Sequence, residues 1–176
     1  MNAMVFLVST LFSLYLMVVL LRVWLQLAQA DFYNQFSQFV VKATHPIVGP
    51  LRRFIPSFGR LDTATLVLAF AVALLRTWTV LAIQGYMSSG IVDLLLMALF
   101  FLISEAMQLV FWVLIIRAIL SWVSQGQNPL EYLLHQLTEP LVAPIRRIIP
   151  PIGGLDLSPM ILIIALIFLM KLLGFQ

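Results

Sequence analysis

Long apolar stretches alternate with shorter, more polar segments along this chain. Four stretches are long enough, or nearly long enough, to cross a bilayer: about Val5–Leu27, about Ala64–Ile83, Ile91–Val123 and Pro159–Leu173. A hydrocarbon core about 30 Å thick needs roughly 20 apolar residues of helix. The pattern therefore predicts an all-α membrane protein with about four transmembrane helices.

Two of these stretches have unusual lengths. The third, Ile91–Val123, would be about 50 Å long as a helix, which is too long for one upright span and too short for two. We predict one long helix that is tilted or protrudes from the membrane, with its span at about 94–123. The fourth has only 15 residues, ends near Lys171 and Gly174, and is expected to tilt little or to thin the bilayer locally.

Composition agrees with membrane insertion. The chain is 62% hydrophobic and 10% charged, with a mean hydropathy of +1.08, whereas soluble domains carry about 25% charged residues. The absence of cysteine excludes disulfides, thiolate catalysis and cysteine-ligated metals, and we predict no cofactor and no metal site. The net charge of +3 favours attraction to anionic lipid rather than nucleic acid.

The distribution of basic residues predicts an orientation. Segment 29–63 carries four (Lys42, Arg52, Arg53 and Arg60), segment 124–157 carries Arg146 and Arg147, and neither the N-terminal tail nor the loop Gln84–Gly90 carries any. The positive-inside rule then places both long linkers in the cytoplasm and both termini on the outer side of the membrane. Lys171 argues weakly for the opposite orientation.

The chain repeats itself with a shift of 94 residues. The segment Thr44–Pro56 matches Thr138–Pro150, and Arg22 aligns with Arg117 after a one-residue gap. The shared motif positions are Pro46, Pro50, Pro56, Gly59 and Asp62 in the first copy and Pro140, Pro144, Pro150, Gly153 and Asp156 in the second. Such fixed spacing indicates a duplication. We assign residues 1–90 to the first repeat (spans about 5–27 and 64–83, linker 28–63) and 91–176 to the second (spans about 94–123 and 159–173, linker 124–158).

An even number of spans in each repeat means that both copies have the same orientation. This parallel arrangement differs from the inverted repeats of many transporters. The prolines of the first linker, at 46, 50 and 56, are expected to prevent a long uninterrupted helix there. The segments Phe32–Ala43 and Leu130–Leu137 are predicted to be interfacial amphipathic helices.

The second copy carries the motif residues of a known family. It reads Arg117, Ser121-Trp122, Asn128-Pro129, Thr138-Glu139-Pro140, Pro144, Arg146-Arg147, Pro150, Gly153-Gly154, Asp156 and Ser158-Pro159. This pattern resembles the repeat of the YggT (YlmG) family, over nearly the whole chain. The first copy departs from it at His45, Arg60 and Thr65. The resemblance implies links to osmotic tolerance, to a cell-division gene neighbourhood and, in plastids, to cytochrome assembly and nucleoid partitioning.

The arginine pairs Arg52-Arg53 and Arg146-Arg147 are the main candidate site. They could be topology signals only, or they could bind an anionic lipid head group or a protein partner through guanidinium groups at phosphate depth. The aspartates that follow, Asp62 and Asp156, are expected to start the next span as N-caps.

Among the polar residues within the spans, the intramembrane candidates are Arg22, Arg76, Glu105, Gln108 and Arg117. Arg22 and Arg117 are near span ends and can snorkel, but their recurrence suggests a shared partner, with Asp62 or Asp156 as candidates. Glu105 lies in mid-span, and a buried ion pair with Arg76 is the structural interpretation. A proton or cation site at Glu105 is the alternative.

Enzymatic signals are weak. His45 and His135 are not equivalent in the repeat, and haem ligation by them is a remote alternative. We therefore predict a non-catalytic inner-membrane organiser or assembly factor whose cytoplasmic linkers engage lipid or an unidentified membrane or cytoplasmic protein, with osmotic tolerance or cell division as contexts. The alternative is a small ion channel or carrier that uses Glu105 and Arg76. Because four spans hardly enclose a pore, that alternative needs a homo-oligomer.

Overall fold

Six helices make up the described part of the chain in this computed structural model, which describes residues 2–57, 61–86, 90–123, 128–149 and 157–175, except the side chains of 121–123. Their bounds are α1 Ala3–Leu27, α2 Gln35–Leu51, α3 Thr63–Gln84, α4 Ile91–Val123, α5 Pro129–Ile148 and α6 Ser158–Leu172. The starts of α2 and α5 are 94 residues apart, so the duplication in sequence recurs in the helices. The prediction of an all-α membrane protein is confirmed.

Helices α1, α3 and α4 are long and apolar enough to cross a membrane. Helix α4 is one continuous helix of 33 residues, as predicted. Helix α6 has 15 residues, about 22 Å at 1.5 Å per residue, and is shorter than the hydrocarbon core. Its role as a fourth span stays a prediction.

The linker helices differ from expectation. Helix α2 runs for 17 residues through Pro46 and Pro50, so the expected interruption by proline is wrong. Proline has no backbone N–H, so Pro46 cannot donate to the carbonyl group of Lys42, and Pro50 cannot donate to that of Pro46. Both prolines and Lys42 are exposed, so the freed carbonyl groups lie on the outer side of the helix, where water or lipid head groups can reach them. Helix α5 tolerates Pro140 and Pro144 at the equivalent positions.

The described residues form two compact units. The first comprises those of Met1–Val23 and Phe39–Ala106. Its core joins branched side chains of α1 with small residues of α3, among them Leu16, Val19, Ala64, Ala69 and Ala73, all fully buried. Small residues let helices approach closely inside a membrane. Gly85, with φ of +80°, ends α3 in the left-handed conformation that glycine adopts without strain.

The second unit comprises the described residues of Trp24–Gln38 and Met107–Gln176. Here α5 packs on α6. The core contains Leu114 of α4 and, at helical spacing along α5, Leu133, Leu134, Leu137 and Val142. This spacing gives α5 one buried face and one exposed face, which is typical of an amphipathic helix.

Candidate functional site at the arginine-bearing linkers

A buried arginine joins the first span to the first linker helix. Arg22 on α1 is 3% exposed, and its Nη1 donates to Thr44 Oγ1 at 2.6 Å. Thr44 in turn donates to the carbonyl group of Val40, one turn earlier on α2, at 2.7 Å. A threonine hydroxyl can accept one hydrogen bond and donate another at the same time. Thr44 therefore accepts from Arg22 while its hydroxyl hydrogen is donated to the carbonyl group of Val40.

The second copy repeats this contact. Arg117 on α4 is 8% exposed and donates to the hydroxyl of Thr138, which donates to the carbonyl group of Leu134 at 2.7 Å. Thr44 and Thr138 stand 94 residues apart. The same arginine–threonine contact therefore holds the long span against the amphipathic helix in each copy.

These contacts revise the expectation for the two arginines. Their guanidinium groups are buried against the linker helix, whereas snorkelling would turn them outward. The hydrogen bonds that Arg22 donates go to Thr44 and to the carbonyl group of Val41, and Asp62 binds Arg52. The recurrent partner is a threonine, and Asp156 lies outside the described residues.

Asp62 binds the first arginine of the first pair. Its Oδ2 accepts from Arg52 Nε at 3.0 Å and from Nη2 at 2.5 Å, and from Thr65 Oγ1 at 2.6 Å. Asp62 occupies the N-cap position of α3 without a side-chain cap bond. The predicted helix start is found, but the carboxylate binds Arg52 and Thr65 rather than the helix backbone.

Glu139 takes the corresponding role in the second copy. Its carboxylate accepts from Arg146 Nη1 at 2.6 Å, lies 3.4 Å from Arg117 Nη2, and lies 3.3 Å from His135 Nε2, one turn earlier on α5. Glu139 therefore links Arg146 to the buried Arg117. Hydrogen bonds between a carboxylate and a guanidinium group are stronger than those between neutral groups. His45, the positional equivalent in the first copy, carries no carboxylate.

The two arginines of each pair therefore have different environments. Arg53 and Arg147 are exposed, and neither makes an ion pair with any residue that the structure describes. The next residue in each copy is a large apolar side chain, Phe54 at 84% exposure and Ile148 at 80%. Within the part of the chain that the structure describes, each copy thus presents an arginine without an ion pair beside an exposed apolar group.

The intramembrane polar residues do not pair as expected. Glu105 is 8% exposed, and its Oε1 accepts from Ser13 Oγ at 2.8 Å. Arg76 lies with its Cζ 4.0 Å from the centre of the Phe101 ring and donates to Ser9 Oγ at 3.4 Å. Both residues belong to the first unit, and no ion pair joins them. Gln108 lies in the second unit, beside an apolar cleft.

The remaining motif residues fall into two groups. Pro56 follows the turn after α2 and accepts a 2.5 Å hydrogen bond from Thr63 through its carbonyl group. Gly59, Pro150, Gly153 and Asp156 lie outside the described residues.

Comparison with known proteins now identifies the family. A family profile described as CCB3/YggT matches residues 1–83 and 96–176, one segment on each copy. The chain belongs to the CCB3/YggT family. The resemblance seen in the sequence and the tandem repeat are both confirmed. No solved structure matches the chain significantly.

Close relatives of this family member come from several bacteria. The "Uncharacterized protein in proC 3'region" of Vibrio alginolyticus is 59% identical over 175 residues, covering 99% of this chain and 95% of the relative. The "Uncharacterized protein YggT" of Escherichia coli K12 is 48% identical over 166 residues, covering 94% and 86%. "Uncharacterized protein PA0392" of Pseudomonas aeruginosa is 47% identical over 167 residues, covering 94% and 85%.

Sequence reasoning missed a pair of asparagine helix caps that recurs in the two copies of this family member. Asn34 Oδ1 accepts from the backbone N–H of Phe36 at 2.9 Å, and Asn128 Oδ1 accepts from that of Leu130 at 2.9 Å. The two asparagines therefore cap the starts of α2 and α5. They lie 94 residues apart, so the repeat shift could have revealed them.

Proposed function

We propose that this protein is a non-catalytic organiser of the bacterial inner membrane. Its linker helices α2 and α5 hold a cationic and apolar surface against anionic lipid head groups or a partner protein. The observation that supports this most directly is the recurrence, in both copies, of an exposed arginine beside an exposed apolar side chain. In this proposal the first arginine of each pair is structural and the second is the contact group.

The chemistry of this surface favours lipid over protein as the first contact. Phe54 and Ile148 would enter the acyl boundary, while Arg53 and Arg147 would lie at phosphate depth. Each basic residue near an anionic membrane surface contributes about 1 kcal/mol. Two such groups anchored by buried arginine–threonine contacts would fix the depth and orientation of both linker helices.

Photo-cross-linking tests what this surface contacts. A benzophenone amino acid is placed at position 54 or 148 of the full chain in native membranes, with Tyr33 of the first linker, which is 90% exposed, as the control position. We expect lipid adducts at 54 and 148 that decrease when Arg53 and Arg147 are changed to glutamine. A discrete protein adduct at 54 and 148 would favour a partner instead. Adducts that do not depend on these arginines would overturn the proposal.

The proposed orientation puts both linkers in the cytoplasm. Since the chain has no cysteine, single cysteines report accessibility without background. Ser57→Cys in the first linker should be protected from a membrane-impermeant thiol reagent in intact cells, and Tyr86→Cys should react. The reverse pattern would invert the topology and refute the cytoplasmic assignment.

A second candidate function is ion conduction or carriage in a homo-oligomer. It is favoured by Glu105, whose Oε2 is buried without a hydrogen-bond partner. An incompletely bonded carboxylate at membrane depth is costly and often functional. Glu105→Gln should reduce ion flux in proteoliposomes, whereas Asp93→Asn, an exposed carboxylate at the start of the same helix, should not. Absence of flux from the pure wild-type chain would eliminate this candidate.

A further inference from the structure

An apolar cleft lies between α4 and α6 in the second unit. Its volume is about 250 Å³. Its walls come from Phe111 and Trp112 on α4 and from Ile167 and Met170 on α6, with Gln108 and Lys171 as its polar groups. Phe111 and Trp112 stand edge to face, with ring centres 5.6 Å apart. Both walls belong to strongly apolar helices, and α4 is long and apolar enough to cross a membrane.

The cleft carries charge of one sign only. Lys171 is its single ionisable group, it is exposed, and it forms no ion pair with any described residue. A lysine in the last turn of a helix is favoured by the helix dipole, which explains the position of the charge but not an adjoining apolar cleft. A ligand that satisfies both features has an extended apolar part and an anionic group at one end.

The size and place of the cleft limit the ligand further. Pockets for drug-sized molecules are roughly 300–1,000 Å³, so this cleft suits a single hydrocarbon chain better than a ring system. Helix α6 begins at Ser158, next to the second linker, and Lys171 is in its last turn. The cationic end of the cleft is therefore at the C-terminal end of α6, away from the end that follows the second linker in sequence.

We propose that this cleft binds one acyl chain of an anionic phospholipid whose phosphate pairs with Lys171. The site is separate from the linker surface and does not depend on the proposed function of the arginines. Gln108 can donate a hydrogen bond to the ester or glycerol oxygens of the same lipid. The lipid fills the lateral cleft beside α6 and holds this short helix against α4.

Trp112 provides a built-in reporter of the cleft. The full chain is reduced to one tryptophan by changing Trp24, Trp78 and Trp122 to phenylalanine, and it is reconstituted in vesicles. Fluorescence quenching by brominated phosphatidylglycerol is compared with quenching by brominated phosphatidylcholine. The matched reference is a chain that keeps only Trp78, because Trp78 and Trp112 are each 50% exposed.

The proposal predicts a preference for the anionic lipid of about fivefold at Trp112, the size that one lysine near anionic lipid provides, and little preference at Trp78. Lys171→Gln should abolish the preference at Trp112. Lys42→Gln, which changes the only other lysine of the chain, should leave it intact. Equal quenching by the two lipids at Trp112, an equal preference at Trp78, or a preference that survives Lys171→Gln would overturn the proposal.

A second measurement covers the case in which the single-tryptophan chains fail to fold. The otherwise unmodified chain and its Lys171→Gln and Lys42→Gln variants are compared by native mass spectrometry after addition of phosphatidylglycerol. Loss of one tightly bound lipid in Lys171→Gln alone is the expected result. Identical lipid occupancy in all three chains would refute the site.

Discussion

In the two linkers of this protein, different carboxylates pair with the first arginine of the Arg-Arg motif. In the first copy Arg52 binds Asp62, which lies at the start of the following span. In the second copy Arg146 binds Glu139, which lies within the linker helix itself. His45 replaces that glutamate in the first copy. The feature shared by both copies is that the first arginine pairs with a carboxylate, whereas the second forms an ion pair with none of the described residues.

This comparison separates what the duplication preserves from what it allows to vary. Both copies keep the arginine–threonine contact and the asparagine cap, which fix the linker helix to its span. The neutralising carboxylate varies, since it is Asp62 in the first copy and Glu139 in the second. The first three predictions below use the differences between the copies and run from the largest expected effect to the smallest, and the fourth compares the two arginines of each pair.

The arginine–threonine contact should matter more in the first copy. Thr44→Val leaves Arg22 with one described hydrogen bond, at 3.5 Å to the carbonyl group of Val41, whereas after Thr138→Val the charge of Arg117 is still compensated by Glu139. Leaving a buried charged donor poorly satisfied costs about 1–3 kcal/mol or more. We expect Thr44→Val to lower the thermal unfolding midpoint in detergent clearly more than Thr138→Val. Equal losses would show that Glu139 contributes nothing at Arg117.

The carboxylates should be exchangeable between the copies. Asp62→Asn removes the charge that binds Arg52 and should destabilise the protein by about 1–2 kcal/mol, since breaking a charge-assisted hydrogen bond costs that much. Adding His45→Glu places a carboxylate where the second copy has Glu139, and we expect it to restore part of the loss. A double-mutant cycle on unfolding free energy measures this rescue. Purely additive effects would mean that the position of the carboxylate is not interchangeable.

The two asparagine caps should differ by a smaller amount. Asn34→Ala and Asn128→Ala each remove one cap, which typically costs about 1 kcal/mol. Asn34 also donates from Nδ2 to the carbonyl group of Pro129 at 3.0 Å. We therefore expect the Asn34 variant to lose slightly more stability in the same unfolding measurement. A larger loss for Asn128→Ala would contradict this assignment.

The sequence predicted much of the fold and less of the site. Hydropathy and the 94-residue repeat were sufficient for the three long apolar helices, the unbroken α4 and the linker motif, because these depend on patterns of residue type. The same prolines that predict a broken helix are accommodated in α2, since their freed carbonyl groups lie on the exposed side. A pattern in one dimension does not reveal which side of a helix a proline occupies.

The polar partners were harder to predict for a related reason. Arg22 has both Thr44 and Asp62 downstream in sequence, and only the geometry of α2 selects the threonine. The pair Arg76 and Glu105 is plausible by charge alone, but Ser9, Ser13 and Phe101 contact these side chains instead. Charge identifies which groups need a partner, and packing decides which partner is reached.

The central claim is that the first arginine of each pair is structural and the second contacts anionic lipid. Measuring the bound anionic lipid tests this claim most directly. The fourth prediction compares two double variants. The first carries Arg53→Gln and Arg147→Gln, and the second carries Arg52→Gln and Arg146→Gln. The quantity measured is the number of anionic lipids that co-purify per chain in mild detergent. We expect the first combination to lose roughly one to two lipids, one for each exposed cation removed, with little change in unfolding midpoint. The second should retain lipid but unfold at a lower temperature. Equal lipid loss from both combinations would contradict the division of roles.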